Sequence, residues 1–118
     1  MLPWRAVIAM IVLLAPTCCH GPTGNPTTLA AIRGEARALM LGPDFWWTVG
    51  DTDRRLPMTI AQLRPDMVEV DRDGVNVYAP NFLDGGWGYH VPRVPNPSRE
   101  TLFRHQKVAD GVYWFHPY

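Results

Sequence analysis

Three histidines, His90, His105 and His116, carry the richest chemistry beyond the first twenty residues, because imidazole titrates near neutral pH and ligates transition metals. A closed zinc centre needs three or four converging ligands, and these histidines stand 15 and 11 residues apart, which matches no local motif of the His-Glu-x-x-His type. They form a metal or catalytic cluster only if distant strands bring them together. Histidines hydrogen-bonded on separate strands are the simpler expectation, and no resident metal or other cofactor is expected. A hydrolytic reading would add an acid such as Asp84 or Asp51 to these histidines. The stretch DRDG, Asp71 to Gly74, opens like a calcium loop, but Val75 takes the third acidic position and no bidentate glutamate follows at the required distance, so it reads as a turn. Asp51 and Asp53 stand beside Arg54 and Arg55, where the charges neutralise locally. The sequence contains no nucleophile elbow and no phosphate loop.

The aromatic residues offer binding rather than catalysis. Trp46 and Trp47 are adjacent, so in an extended segment they point to opposite faces and cannot both enter one core. Trp87 stands among glycines. Trp46, Trp47 and Trp87 are the candidates from which an exposed subset would make a platform for a glycan, a peptide or a protein partner, against the plainer account in which all these rings fill the core of a small domain. In the closing run VYWFHPY, alternation puts Tyr113 and Phe115 on one face and Trp114 and His116 on the other.

Eleven basic and eleven acidic side chains cancel, which argues against nucleic acid as a partner, since phosphate binding needs a clustered positive surplus. The only two cysteines, Cys18 and Cys19, are neighbours and cannot close a loop-bridging disulfide. They follow Arg5 and the apolar run AVIAMIVLLA, Ala6 to Ala15, which Pro16 ends. A membrane-spanning helix needs about 20 apolar residues, so this run has the length of an export signal instead. Its end resembles the lipobox of bacterial lipoproteins, in which a cysteine after the apolar segment is acylated and becomes the new N-terminus. Here Ala15, Pro16 and Thr17 precede Cys18, where the family carries Leu, a small residue and then Gly or Ala. The resemblance covers residues 1–19 alone and implies an anchor at Cys18 or Cys19. Ordinary signal cleavage, with Ala15 and Thr17 as the small residues, is the main alternative, followed by retention of an uncleaved segment and by a buried N-terminal helix that is no signal. With either of the first two the expectation is a protein exported to the periplasm or envelope, or secreted, whose folded part has no disulfide and whose oligomeric state is open.

The elements that must position these residues follow from periodicity. Residues 20–27 read as a flexible tether, and a single α+β domain is expected over 28–118. Leu29, Ile32, Ala36 and Leu39 recur at helical spacing, predicting a helix over about 29–41, started by Thr28 and stopped at Gly42 and Pro43. Gly34 within it suggests a close approach of another element. The segment DFWWTVGDTDRR reads as loop with room for a short strand at Phe45 to Val49, and a short helix before Pro65 is expected next. Val68 and Val70, then Val75 and Val77, alternate about Asp73-Gly74, the strongest hairpin signal in the chain. GGWGYHV reads as a third strand with a bulge or close backbone contact at its glycines. Prolines 92, 95 and 97 exclude a central strand there, and a second hairpin is expected from Thr101 to Val108 and Val112 to His116 around Asp110-Gly111. The fold expected is α+β, with one N-terminal amphipathic helix packed on an antiparallel sheet of about five strands. No feature assembles a catalytic constellation, so the functional expectation is a small exported envelope protein that binds or interacts rather than catalyses. A periplasmic metal-dependent or hydrolytic enzyme built on the histidines is the alternative.

Overall fold

The computed structural model describes residues 21–80, 86–100 and 102–116. Cys18, Cys19, Asp84 and the start of the second hairpin at Thr101 lie outside the described residues. The first helix, α1 (Pro26–Leu39), starts earlier than its hydrophobic period suggests. Its cap is Asn25, not Thr28: the Asn25 Oδ1 accepts from the N–H groups of Thr27 (2.9 Å) and Thr28 (3.3 Å), and Pro26 occupies the first turn, where no N–H is needed. The C-terminal part of the expected tether is thus helix. Leu29, Ile32 and Ala36 are its buried residues, at the predicted spacing.

Six strands follow, with one more short helix between the first two: β1 (Trp46–Val49), α2 (Met58–Gln62), β2 (Met67–Val70), β3 (Gly74–Tyr78), β4 (Gly88–Pro92), β5 (His105–Ala109) and β6 (Val112–Phe115). The fold is α+β, with a six-stranded antiparallel sheet in the order β1-β2-β3-β4-β6-β5. The sixth strand arises because Trp46–Val49 finds a full antiparallel partner in β2, from Trp46 opposite Val70 to Val49 opposite Met67. Pro92 does end β4, and β4 is nevertheless central: β6 pairs only with Gly88 to His90, so the proline lies past the last doubly paired residue. The final hairpin turns at Asp110 and Gly111 as expected, but its last strand inserts between β4 and β5.

One face of the sheet carries Val68, Val70, Val75, Val77, Tyr89, Val91, Val112 and Trp114 into a core with Leu29, Ile32, Ala36, Leu56 and Ile60 of the helical layer. α1 packs over β4, β5 and β6 and also against α2. α2 is short and its capping residue, Pro57, supplies no side-chain bond. Glu35 of α1 does that task from outside: its carboxylate accepts from the N–H of Thr59 (3.1 Å) and of Ile60 (3.0 Å), and the helix N-terminus favours the negative charge.

Two glycines are required by their surroundings and one is not. Gly74, with φ of 144°, closes the β2–β3 turn, where Asp71 Oδ1 accepts from the N–H groups of Asp73 and Gly74 at 2.8 and 3.1 Å. Gly88 lies against the backbone of β3. Gly34, by contrast, is exposed, and a Cβ there would meet nothing within 4 Å, so no element approaches it. Gly34→Ala is therefore expected to stabilise the fold by up to about 1 kcal/mol through helix propensity alone, read as a raised urea midpoint; a lowered midpoint would show that the helix needs the glycine.

Candidate functional site

Alternation across the sheet leaves a second face, away from the helices, formed along one row by Trp47, Glu69, Asn76, His90, Tyr113 and Lys107 and along the next by Val49, Met67, Tyr78, Gly88, Phe115 and His105. A hydrogen-bonded chain runs across it. Asn76 Nδ2 and the Tyr78 hydroxyl both donate to Glu69 Oε1, each at 2.8 Å. Because the Asn76 amide is turned so that its NH2 group meets Glu69, its Oδ1 is left to accept, and the His90 Nδ1–H donates to it at 2.7 Å. The other ring nitrogen of His90, Nε2, is buried with no hydrogen-bond partner, so a proton there would have no acceptor and the neutral ring is favoured. Burial pushes the His90 pKa down to about 4; the neighbouring His105 adds to the shift, and Asp71 and Asp73 oppose it. The same carboxylate, Glu69, with burial as the larger cause, raises the Tyr78 hydroxyl above its ordinary range.

His90 lies beside a cavity of about 270 Å³, walled by Asn76, Tyr78, Phe103, His105, Phe115 and His116, with Asp73 and Arg104 also lining it. Gly88 faces Phe115 across the strands and leaves room for that ring, which meets Tyr78 edge-on with centroids 5.2 Å apart. The His105 ring stands at 73° to that of His90, also with centroids 5.2 Å apart, and its Nδ1–H donates to the Phe103 carbonyl at 2.9 Å. The structure therefore brings His90 and His105 together across β6, and His116 reaches the wall of the same cavity. Three ligands do not converge: among the described residues no group of three His, Cys, Asp or Glu side chains is placed to hold a metal ion. Among the described residues, the hydroxyl on the cavity wall is that of Tyr78, already committed to Glu69. Asp51 is exposed, just past β1, with β2 and β3 standing between that strand and β4.

The tryptophans separate. Trp47 is 65% exposed on the open face, and Val49 beside it 68%. Trp46 turns to the helical face, partly buried against the core, with the Arg55 guanidinium 4.4 Å from its ring centre. Arg55 is held there by Asp53, whose carboxylate takes Nε at 3.0 Å and Nη2 at 2.7 Å; this pairing keeps Asp53 well below the usual carboxylate range. Trp87 does not join them. Its ring packs on Trp114 at 6.3 Å and on His116 at 6.0 Å, and it precedes the Gly88 end of β4, whereas Trp46 pairs toward Val70 and Val75 at the other end of the strands. Of the three candidate rings, Trp47 is thus exposed at a sheet edge, Trp46 is half-covered by an arginine, and Trp87 packs in the body of the fold.

That edge is open in its backbone as well. The Gly50 N–H donates to the Asp66 carbonyl at 2.7 Å, so by alternation Trp46 and Thr48 bond to β2, while the N–H and C=O groups of Trp47 and Val49 point away from the sheet. A groove of about 480 Å³ lies at the Trp46 end of this strand, lined by Phe45, Trp46, Trp47, Glu69, Val70 and Asp71. The opposite edge, β5, differs: it is irregular between Lys107 and Ala109 and exposes Gln106 and Lys107, devices that discourage strand addition. Comparison with known proteins places this chain beside none of them: no family model, no curated protein and no solved structure matches it.

Proposed function

We propose that the protein is a small exported cell-envelope protein that works as a non-catalytic binding module, and that its partner is an extended protein segment added to the sheet along β1. The observation that carries this reading is the open edge itself, two residues with outward backbone groups and side chains two-thirds exposed, with an aromatic groove at one end that counts two acidic residues in its lining. Strand addition draws affinity from backbone hydrogen bonds and specificity from pockets for alternate side chains, and the groove suits a basic one. The apolar run at Ala6 to Ala15 supports export, with Cys18 or Cys19 as lipid anchor or with simple cleavage. No helix among the described residues is long and apolar enough to cross a membrane.

Two measurements test the reading together. Intact masses of the chain recovered from the membrane and soluble fractions of a bacterial host are expected to show loss of the first residues, with acyl mass at Cys18 or Cys19 if the anchor forms. A hexapeptide of alternating valine and threonine flanked by lysines is expected to shift the tryptophan fluorescence, and Trp47→Ala to lose at least tenfold in affinity for it. An unprocessed chain would end the export reading. A response to muropeptides and not to the peptide would replace the protein segment with a glycan.

A further inference from the structure

We propose that His90 and His105 form a binding site for a borderline divalent transition metal, Zn²⁺, Cu²⁺ or Ni²⁺, held by their two Nε2 atoms at the cavity on the open face of the sheet. This site is separate from the β1 edge and does not depend on it.

Both rings are prepared as ligands. In each, Nδ1 is already paired with an oxygen, Asn76 Oδ1 at 2.7 Å for His90 and the Phe103 carbonyl at 2.9 Å for His105, so Nε2 is the ring nitrogen left for a metal ion. An outer oxygen holding the remote ring N–H is the arrangement that fixes the orientation of a metal-bound imidazole and raises its basicity. For His90 the support extends one residue further, since Glu69 fixes the Asn76 amide that fixes the ring. A buried acceptor with no donor carries an uncompensated desolvation cost, and His90, only 3% exposed, has its Nε2 in that state. A metal ion supplies the missing partner without requiring a donor hydrogen.

The spacing agrees. An ion bound tetrahedrally at about 2.0–2.1 Å from two imidazole nitrogens sets the ring centres roughly 5 Å apart, and the centroids of His90 and His105 are separated by 5.2 Å. Nitrogen ligands select Zn²⁺, Cu²⁺ and Ni²⁺ over Mg²⁺ and Ca²⁺, which prefer oxygen. With two protein ligands, the remaining positions belong to water or to a small exogenous ligand in the cavity of about 270 Å³, so the ion is exchangeable rather than a structural staple.

The test uses the full-length chain carrying Cys18→Ser and Cys19→Ser, so that thiols do not compete. Calorimetric titration with ZnCl₂ is expected to give one equivalent bound, and pulsed electron paramagnetic resonance of the Cu²⁺ complex to show two coupled imidazole nitrogens. His105→Gln, at a half-buried position outside the core, is expected to remove one nitrogen and weaken Zn²⁺ binding at least tenfold. His90→Gln is expected to do the same where it folds. A nitrogen count and affinity unchanged in His105→Gln, or no binding of either ion to the parent chain, would overturn the proposal.

Discussion

Between pH 6.5 and pH 4 the metal-free protein is expected to lose about 3 kcal/mol of stability through His90 alone. The folded ring has its pKa pushed down to about 4, against an ordinary value of 6.5, so the folded state refuses a proton that the unfolded chain accepts. The contribution is fully present above pH 6.5, declines as the pH falls through that interval, and stops declining below pH 4, where both states are protonated. Burial is the main cause, with the nearby His105 second, and the attraction of Asp71 and Asp73 is too weak to reverse them. Each pKa unit is worth about 1.4 kcal/mol, which sets the size. Urea unfolding in the presence of a chelator at pH 7, 5.5 and 4 measures it, with His90→Gln as the reference, because carboxylate titration is common to both chains. A difference between the two that stays constant with pH would show that His90 is not a buried neutral base.

Gly88→Ala is expected to cost at least about 3 kcal/mol, the opposite sign from the same substitution at Gly34. A Cβ at position 88 would sit on the carbonyl oxygen of Val77, 2.9 Å from its carbonyl carbon and 2.7 Å from Cζ of Phe115. The ring has some freedom to move. The β3 carbonyl has none, since Val77 is in the centre of the sheet between β2 and β4. The change therefore strains the pairing on which the cavity and the Asn76–His90 bond depend. Equilibrium unfolding checks the loss, and the Nδ1–H resonance of His90 reports whether the site is distorted before the fold is lost. A variant as stable as the parent would mean that β4 slides freely past β3.

These two residues also mark where the sequence was readable and where it was not. Glycines in GGWGYHV announced a close backbone contact because only a missing side chain explains their presence in a strand, and Gly88 makes that contact. The same argument misled at Gly34, which faces solvent: in a helix, an exposed glycine and one pressed against a neighbour look alike in sequence. The α1 core residues followed from their 3.6-residue period, yet its start did not, since the Asn25 cap stands ahead of the periodic segment. Trp46 and Trp47 were bound to face opposite ways once extended. Nothing local said that Arg55 would cover one of them, or that β1 would be an edge.

By itself, then, the sequence determined the elements whose signals are short-range: the helical stripe of Leu29, Ile32 and Ala36, the Asp-Gly turns, and the alternation that separates Val75 and Val77 from Asn76. It also carried the apolar N-terminal run ending at the cysteine pair. Tertiary structure decided the rest. The insertion of β6 between β4 and β5 placed His105 against His90 although 15 residues separate them, and the pairing of β2, β3 and β4 lined up Glu69, Asn76 and His90 into one hydrogen-bonded row. Periodicity records which face a residue takes within its own strand. Which strands become neighbours depends on how the whole apolar surface is buried, and the chemistry of this face exists only after that choice has been made.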